Sequence, residues 1–518
     1  MIPKPPFPWE LTPEREIKEF EHLKLRLAGL WHDVFARDDQ SYTSVVVPSF
    51  SLDPRELAKI KGVAFYEERL LFLLIRLRNP LARMVYVTSQ PVHPMVIEYY
   101  LQLLAGVPGS HARERLTLLS AYDGSARPLT QKVLERPRLI QRIREGIADP
   151  SRAYLTVFNS TPLERRLAVL LGIPLNGADP SMARLGTKSG SRRVFEEAGV
   201  DHPLGVEDVH SEADVMTALQ ELRRIRPGLR RAVLKLDDSF SGEGNAIFRY
   251  PADDSLDSLR QALTQLQFSV PSETVDSYLA KLEPMGGVVE EFLEGREHTS
   301  PSVQLRIDPR GQVTVNSTHE QILGGPTGHV YRGCTFPARG DYRTRLHEAG
   351  LRVGRVLAEK GVVSRFSMDF LLRRNGPGSA WDLSAVEINL RMGGTTHPML
   401  ALRFLTGGTF DPASGLFRGP GGFAKYYRAT DDLSSDAYVG LGPEDLIEIL
   451  TVNRLSYSYR TATGVLFHMI GAISEFGKVG MVAIGNSPEE AEEIFARTTQ
   501  VLDRETAYRG LERRVDSR

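Results

Sequence analysis

The chain has 518 residues, and its 64 Lys plus Arg against 65 Asp plus Glu leave a formal net charge of −1, which excludes a generally basic nucleic-acid binder. With 41% hydrophobic and 25% charged residues the composition excludes wholesale disorder. Its single cysteine, Cys334, excludes an internal disulfide framework and a thiolate-built zinc site.

Residues 1–10 are proline-rich and lack the charged-then-apolar layout of a secretory leader, so a cytoplasmic location is expected. Residues 14–30 read as an exposed amphipathic helix. Ser44-Val-Val-Val-Pro-Ser and Met84-Val-Tyr-Val-Thr-Ser read as buried strands, with helical character over 67–78 and a helix over 94–104. The apolar run 70–75 sits between Arg69 and Arg76 and is too short to cross a membrane. A strand at Leu118, a helix over 137–146, a strand over 154–158 and a helix over 162–171 continue the rhythm. Such alternation predicts a parallel sheet with crossover helices, an α/β unit over residues 1–180 with no glycine-rich dinucleotide fingerprint.

A second unit begins near Gly186. A helix over 192–198 is followed by the strand Ala232-Val-Leu-Lys-Leu, a polar glycine-bearing loop over 237–245, and the strand Ala246-Ile-Phe-Arg-Tyr, which together make a hairpin. Strands then recur at Val288-Val-Glu-Glu-Phe, Ser302-Val-Gln-Leu-Arg-Ile, Val313-Thr-Val-Asn, Phe366-Ser-Met-Asp-Phe-Leu-Leu and Ala385-Val-Glu-Ile-Asn-Leu. Asp308-Pro-Arg-Gly and Asn375-Gly-Pro-Gly supply turns between them. Past Gly407 a glycine-rich connection leads to a helix over 443–454. A last hairpin with arms 465–473 and 479–484 precedes a helix opened by Ser487-Pro-Glu-Glu. The expected units are 1–180, 181–289, 290–405 and 406–518.

The chemistry-bearing residues lie in the middle of the chain. Lys235 sits inside an apolar strand, where an unpaired ammonium is costly, and the loop after it carries Ser241, Gly242, Glu243, Gly244 and Asn245. Its glycines allow backbone N–H groups to approach an anion. Lys188 stands just before a helix. Asp369 is flanked by Met368 and Phe370, and Glu387 and Asn389 are two apart on another apolar strand, hence on one face. Three oxygen donors on neighbouring strands suit a hard cation such as Mg²⁺ that also takes phosphate oxygens; a solvated sheet face is the plainer alternative. Arg391 continues that face with a guanidinium suited to carboxylate or phosphate. The segment Glu290-Glu-Phe-Leu-Glu-Gly-Arg-Glu297 offers backbone groups to a purine and a carboxylate to a ribose, or is simply a strand end with solvated acids. Cys334 reads as a small buried residue. His319, His329 and His397 read as structural or substrate-contacting, since their spacing is not that of metal ligands.

In order, these segments resemble the ATP-grasp superfamily over roughly residues 181 to 400. The linker and the Glu-x-Asn-x-Arg motif are similar to those of D-alanine ligases and L-amino-acid ligases. Pro48-Ser49, Tyr66-Glu-Glu-Arg, Val87-Thr-Ser, Asn159-Ser-Thr and Gly186-Thr-Lys-Ser-Gly-Ser-Arg resemble the narrower group of pheganomycin-type peptide ligases, which extends the likeness over nearly the whole chain. The resemblance implies an α/β protein: an N-terminal parallel-sheet pre-ATP-grasp domain, an ATP-grasp fold of two α+β lobes clamping ATP, and a C-terminal α+β extension. It implies that Lys188 and Lys235 hold the α- and β-phosphates and that residues 241–245 close over the γ-phosphate. Glu290, with the backbone of Glu291 and Leu293 on either side of Phe292, would meet the adenine, and Glu297 the ribose. Asp369, Glu387 and Asn389 would hold two Mg²⁺ ions, and Arg391 would steady an acyl phosphate. The family's arginine two places before the strand aspartate is Ser367 here, which leaves Arg365 or Arg391 to supply that charge. The implied reaction joins a small-molecule carboxylic acid to an amine, amino acid or peptide through an acyl phosphate, releasing ADP and phosphate. No nucleic acid or membrane partner is implied, and a homodimer is the expected assembly. The alternatives are another ATP-grasp chemistry, an acid–thiol ligase or a carboxylase, and a non-catalytic ATP-binding regulator.

Overall fold

Short runs of β-branched residues build the first layer. The structure, a computed structural model, describes residues 11–35, 40–239, 244–253, 255–270, 272–324 and 330–516. Strands β1 (Tyr42–Val47), β2 (Ala82–Thr88), β3 (Leu116–Ser120) and β4 (Ala153–Val157) form a parallel sheet in the order β3-β2-β1-β4, with Val45 opposite both Val85 and Leu155. Helices on its faces explain why these strands are continuous apolar runs, not alternating ones. The Pro162–Leu171 crossover starts with Pro and a Thr161–Glu164 capping box. The helical stretch expected over 67–78 is a 3₁₀ helix, Val63–Arg78. Its three-residue period puts Leu71, Leu74 and Leu77 in one row, and all three are fully buried.

The next unit is an antiparallel sheet of β5 (Gly205–Val206), β6 (Arg231–Leu236), β7 (Asn245–Arg249), β8 (Gln267–Phe268) and β9 (Gly287–Glu291), ordered β5-β9-β6-β7-β8. Ala232, Leu234 and Leu236 face a core shared with the Glu212–Ile225, Leu256–Leu263 and Val275–Met285 helices, so Lys235 and Val233 face the other way.

The third sheet has eleven strands. It contains β10 (Glu297–Thr299), β11 (Pro301–Ile307), β12 (Val313–Gly324), β13 (Val330–Phe336), β14 (Ser364–Arg374) and β15 (Asp382–Asn389). The Arg343–Glu359 helix packs on β11 and β12, with Gly350 and Gly354 against Val303, Leu305 and Val313. The sheet then continues through β16 (Thr409–Asp411), β17 (Leu416–Arg418), β18 (Ala424–Ser434), β19 (Gly464–His468) and β20 (Lys478–Gly485), because β18 pairs antiparallel with β13 through Cys334↔Ala429. The glycine-rich connection after Gly407 thus holds three strands. The first arm of the last hairpin stops at His468: Met469 takes a left-handed backbone (φ 53°) and Ile470–Ala472 and Ile473–Phe476 are helical turns. An L-residue in that region ends a strand. Side chains of the N-terminal sheet layer, the Thr396–Thr406 helix and β18–β20 share one hydrophobic core. Cys334 lies within it, fully buried, and burial pushes its thiol up to about 12. No helix among the described residues is long and apolar enough to cross a membrane.

Candidate functional site

The site lies where β6 and β9 of one lobe meet β14 and β15 of the other. Lys235 on β6 is diagonal to Glu290 on β9, since Val233 pairs with Glu290 and Lys235 with Val288. The Lys235 ammonium contacts Glu290 Oε2, and Arg192 Nη1 lies 3.0 Å from Glu290 Oε1. Glu290 is only 2% exposed. Burial pushes its pKa up, but Lys235 and Arg192 more than reverse this, and the net shift is downward. Arg192 is held in turn by Glu207 (2.5 Å) and the Pro203 carbonyl (2.6 Å).

Lys188 comes from the first turn of the Lys188–Glu197 helix, one turn before Arg192 and on the same side. Asp237, at the end of β6, anchors this helix start: Ser189 N donates to Asp237 Oδ1 (2.7 Å) and Lys188 N to the Asp237 carbonyl (3.3 Å). A carboxylate at a helix N-terminus is favourable, and here it ties the two lysine-bearing elements together. Glycine is required at position 190, because a Cβ there would lie 1.8 Å from the Arg184 carbonyl oxygen.

Lys188 reaches across to the second lobe. Its Nζ lies 2.5 Å from Glu387 Oε1. Glu387 on β15 pairs in register with Asp369 on β14, and Asn389 with Ser367. Phe366, Met368 and Phe370 are buried in the core, and strand alternation turns Asp369 to the opposite face. Asp369 accepts from Asn389 Nδ2 (3.1 Å) and from Gln321 Nε2 on β12 (2.8 Å). Arg391 donates to Asn389 Oδ1 (2.9 Å) and to the Met392 carbonyl (3.2 Å). Burial, then the facing Glu387 carboxylate, pushes Asp369 up to about 7. Two half-buried carboxylates in register form a like-charge pair that a hard cation would relieve, and the Asn389 amide oxygen adds a third donor of the same kind.

The other expected residues fall as follows. Glu290, expected at the adenine amino group, has its carboxylate enclosed by Lys235 and Arg192. Glu291 accepts from Leu204 N (3.0 Å) and from Arg226. Phe292 lies under the Arg231 guanidinium, 3.7 Å from ring to Cζ, and Leu293 is buried. Glu297 is forked by Arg374 at 2.8 and 2.5 Å. Gly244 is the turn residue before β7 and Asn245 opens that strand opposite Lys235; the Asn245 Oδ1 is buried without a hydrogen-bond partner. Ser241, Gly242 and Glu243 lie outside the described residues, as does His329. Arg365 pairs in register with Arg306 and is pushed down to about 9 by burial, then by Arg76 and Arg403. It therefore belongs to an arginine cluster against the N-terminal unit, and Arg391 is the arginine beside the carboxylates. His319 is buried 2.6 Å from the Tyr427 hydroxyl, and burial lowers it to about 3. Gln321 and Asp237 complete the site without a motif; Arg192 closes the Gly186-Thr-Lys-Ser-Gly-Ser-Arg segment, which by itself assigns it no role.

Residues 445–498 match the family described as the PGM1 C-terminal domain, and residues 180–272 and 253–413 match the IQCH-like ATP-grasp family. L-propargylglycine--L-glutamate ligase from Streptantibioticus cattleyicolor is 32% identical over 482 residues, covering 90% of this chain and 95% of that protein. IQ motif-containing protein H from Danio rerio is 25% identical over 448 residues, covering 77% of this chain but only 42% of that protein. Among solved structures, the biotin carboxylase domain of the Hydrogenobacter thermophilus 2-oxoglutarate carboxylase, determined with MgADP and bicarbonate, superimposes with a TM-score of 0.53 at 14% identity, covering 89% of this chain and 90% of that one. At that identity the likeness speaks for the fold alone.

Proposed function

The chain belongs to the ATP-grasp carboxylate–amine ligases, the family of L-propargylglycine--L-glutamate ligase, and from that premise we propose that its two lobes join an amino-acid carboxylate to an amino-acid or peptide amine through an acyl phosphate. The chain is a ligase that forms carbon–nitrogen bonds. The observation that carries the site assignment is the reach of Lys188 from one lobe to Glu387, opposite Asp369, on the other.

Lys188 and Lys235 are the cations for the nucleotide phosphates, and Asp369, Glu387 and Asn389 the ligands for two Mg²⁺ ions. Bound there, the metal would supply positive charge that offsets the phosphates. Glu290, itself fixed by Arg192, holds the Lys235 ammonium in place, residues 290–293 border the adenine, and Glu297 the ribose. A carboxylate is a poor electrophile because its leaving group would be oxide. Attack of its oxygen on the γ-phosphorus of ATP expels ADP and gives an acyl phosphate. An amine then attacks the acyl carbon, the bond to phosphate breaks, and the nitrogen gives up a proton. Arg391 offsets the charge that develops on the acyl phosphate and the tetrahedral intermediate. As the family resemblance implies, closure of the glycine-bearing loop 241–245 and its lobe would keep water from the intermediate.

The units 1–180, 181–289, 290–405 and 406–518 serve as pre-ATP-grasp α/β domain, lid or central lobe, catalytic lobe and C-terminal extension, and a homodimer is the proposed assembly. The name of the relative, which pairs glutamate with another amino acid, supports amino acids on both sides of the bond. The test is ADP release by the purified chain given ATP, Mg²⁺, L-glutamate and a panel of amino acids, with mass detection of the dipeptide and hydroxylamine trapping of the acyl phosphate. Absence of both product and hydroxamate across the panel would sink the reading.

A further inference from the structure

Away from the carboxylates of β14 and β15, three buried side chains from distant parts of the chain converge. His397 lies in the first turn of the Thr396–Thr406 helix, Asp431 on β18, and His468 at the end of β19. They are 4%, 9% and 2% exposed. His397 Nε2 is 2.9 Å from His468 Nε2, which is 2.9 Å from Asp431 Oδ1, and His397 Nε2 is 3.3 Å from that same oxygen.

The three atoms form a triangle that ring protons alone do not satisfy. If both rings carry Nε2–H, two donors face each other across 2.9 Å. If only His468 carries it, the His397 lone pair faces the carboxylate oxygen; if only His397 does, the His468 lone pair faces it at 2.9 Å. With neither, three acceptors meet. Each placement leaves at least one edge with like against like. A cation at the centre turns all three edges into ligand–ligand contacts. The corners lie about 1.8 Å from the centre of the triangle, so an ion at the ~2.0–2.1 Å ligand distance of a first-row metal sits about 1 Å off its plane, with positions left for further ligands.

Two neighbours fix the carboxylate and one ring, while the other ring nitrogen of His468, Nδ1, is buried with no hydrogen-bond partner. Arg69 Nη1 lies 3.3 Å from the other Asp431 oxygen and orients the carboxylate. Gly480 gives the His468 ring its place: a Cβ at 480 would fall 2.0 Å from Nε2 and 2.3 Å from Cδ2. Two imidazole nitrogens and one carboxylate oxygen favour a borderline transition metal over Mg²⁺, which prefers an all-oxygen shell.

We propose that His397, Asp431 and His468 bind one first-row divalent metal ion, Zn²⁺ by donor chemistry, separate from the Asp369–Glu387–Asn389 cluster. The ion ties the Thr396–Thr406 helix to the β18–β20 extension, with Arg69 of the N-terminal unit as its outer partner. The untagged full chain is to be loaded with Zn²⁺, dialysed against buffer that contains Mg²⁺ and is free of transition metals, and its metal content measured by mass spectrometry. The expected result is about one zinc per chain, falling to roughly a tenth or less in His468→Asn and Asp431→Asn and unchanged in Glu387→Ala. Co²⁺ loading of the wild-type chain gives a visible d–d band that Zn²⁺ abolishes, which reads the site without a variant. A wild-type chain that retains no stoichiometric zinc and shows no cobalt band, or a His468→Asn chain that retains as much zinc as wild type, overturns the proposal. Neither readout depends on ligation, so a chain that binds zinc but forms no amide bond fails only the functional reading.

Discussion

At the scale of single residues the site is a chain of opposite charges. Lys188 neutralises Glu387, Lys235 and Arg192 neutralise Glu290, and Arg391 borders Asn389. Replacing Lys188 or Lys235 with Ala is expected to cut ADP formation by ~10²-fold or more, as loss of a charge aimed at a developing anion does. Near-normal turnover in either would move the nucleotide elsewhere. Arg391→Ala should lower the yield of amide more than nucleotide affinity, measured by single-turnover product against ADP titration. Glu290 differs, because its loss strands two cations in a buried setting. Glu290→Ala should cost about 3 kcal/mol of unfolding free energy in denaturant melts, whereas Glu290→Gln, which still accepts hydrogen bonds, should cost less. The lysines and oxygen donors were readable in the sequence because they interrupt apolar strands, where a charged group needs a reason. Gln321 was not, since a glutamine on a strand is ordinary until Asp369 is found 2.8 Å from it. His397, Asp431 and His468 were unreadable for a similar reason: their spacings of 34 and 37 residues carry no ligand pattern, and only the pairing of β18 with β20 and β20 with β19 brings two of them together.

At the scale of elements, turns decide where the charges go. The tie between Asp237 and the Lys188–Glu197 helix start depends on the close approach at Gly190. Gly190→Ala forces a backbone carbonyl aside, so a loss of about 1–3 kcal/mol and a raised KM for ATP are expected together. A variant with wild-type stability and KM would show that the helix start can shift freely. The hairpin β6–β7 and the strand pair β14–β15 follow from apolar alternation and from turn residues that need few alternatives. The short strands β16 and β17 escape that reading: three residues each, set among glycines, they look like a connection until β18 pairs with β17 and β17 with β16. The arm after β19 misleads in the opposite way, since Ile470–Ile473 is apolar enough for a strand but is bent by the left-handed backbone at Met469.

At the scale of the whole molecule, the N-terminal layer and the extension are packed into one another. Glu68 of the 3₁₀ helix accepts from Gly471 N (3.0 Å), and burial raises it from its ordinary 4.5 to about 7. The folded chain therefore binds more protons at this group than the unfolded chain between those values. The stability it contributes is full below pH ~4.5 and lost as the pH rises through ~7. Glu68→Gln should flatten that loss, visible as a smaller drop in melting temperature between pH 5.5 and 8.5; an equal drop in both proteins would assign the pH dependence to other groups, with the buried Glu67, also raised to about 7, the first to examine.

The pairing of β13 with β18 has a practical result for anyone dissecting this protein. Stopping the chain after Thr406 does not shed an appendage. It peels away half of a continuous fabric and leaves the rim of β13 bare, a hydrogen-bonding edge of the sort that recruits other chains. The shortened protein should come out of cells as insoluble aggregate, and a clear, monodisperse preparation of it would mean that the two halves were never sewn together.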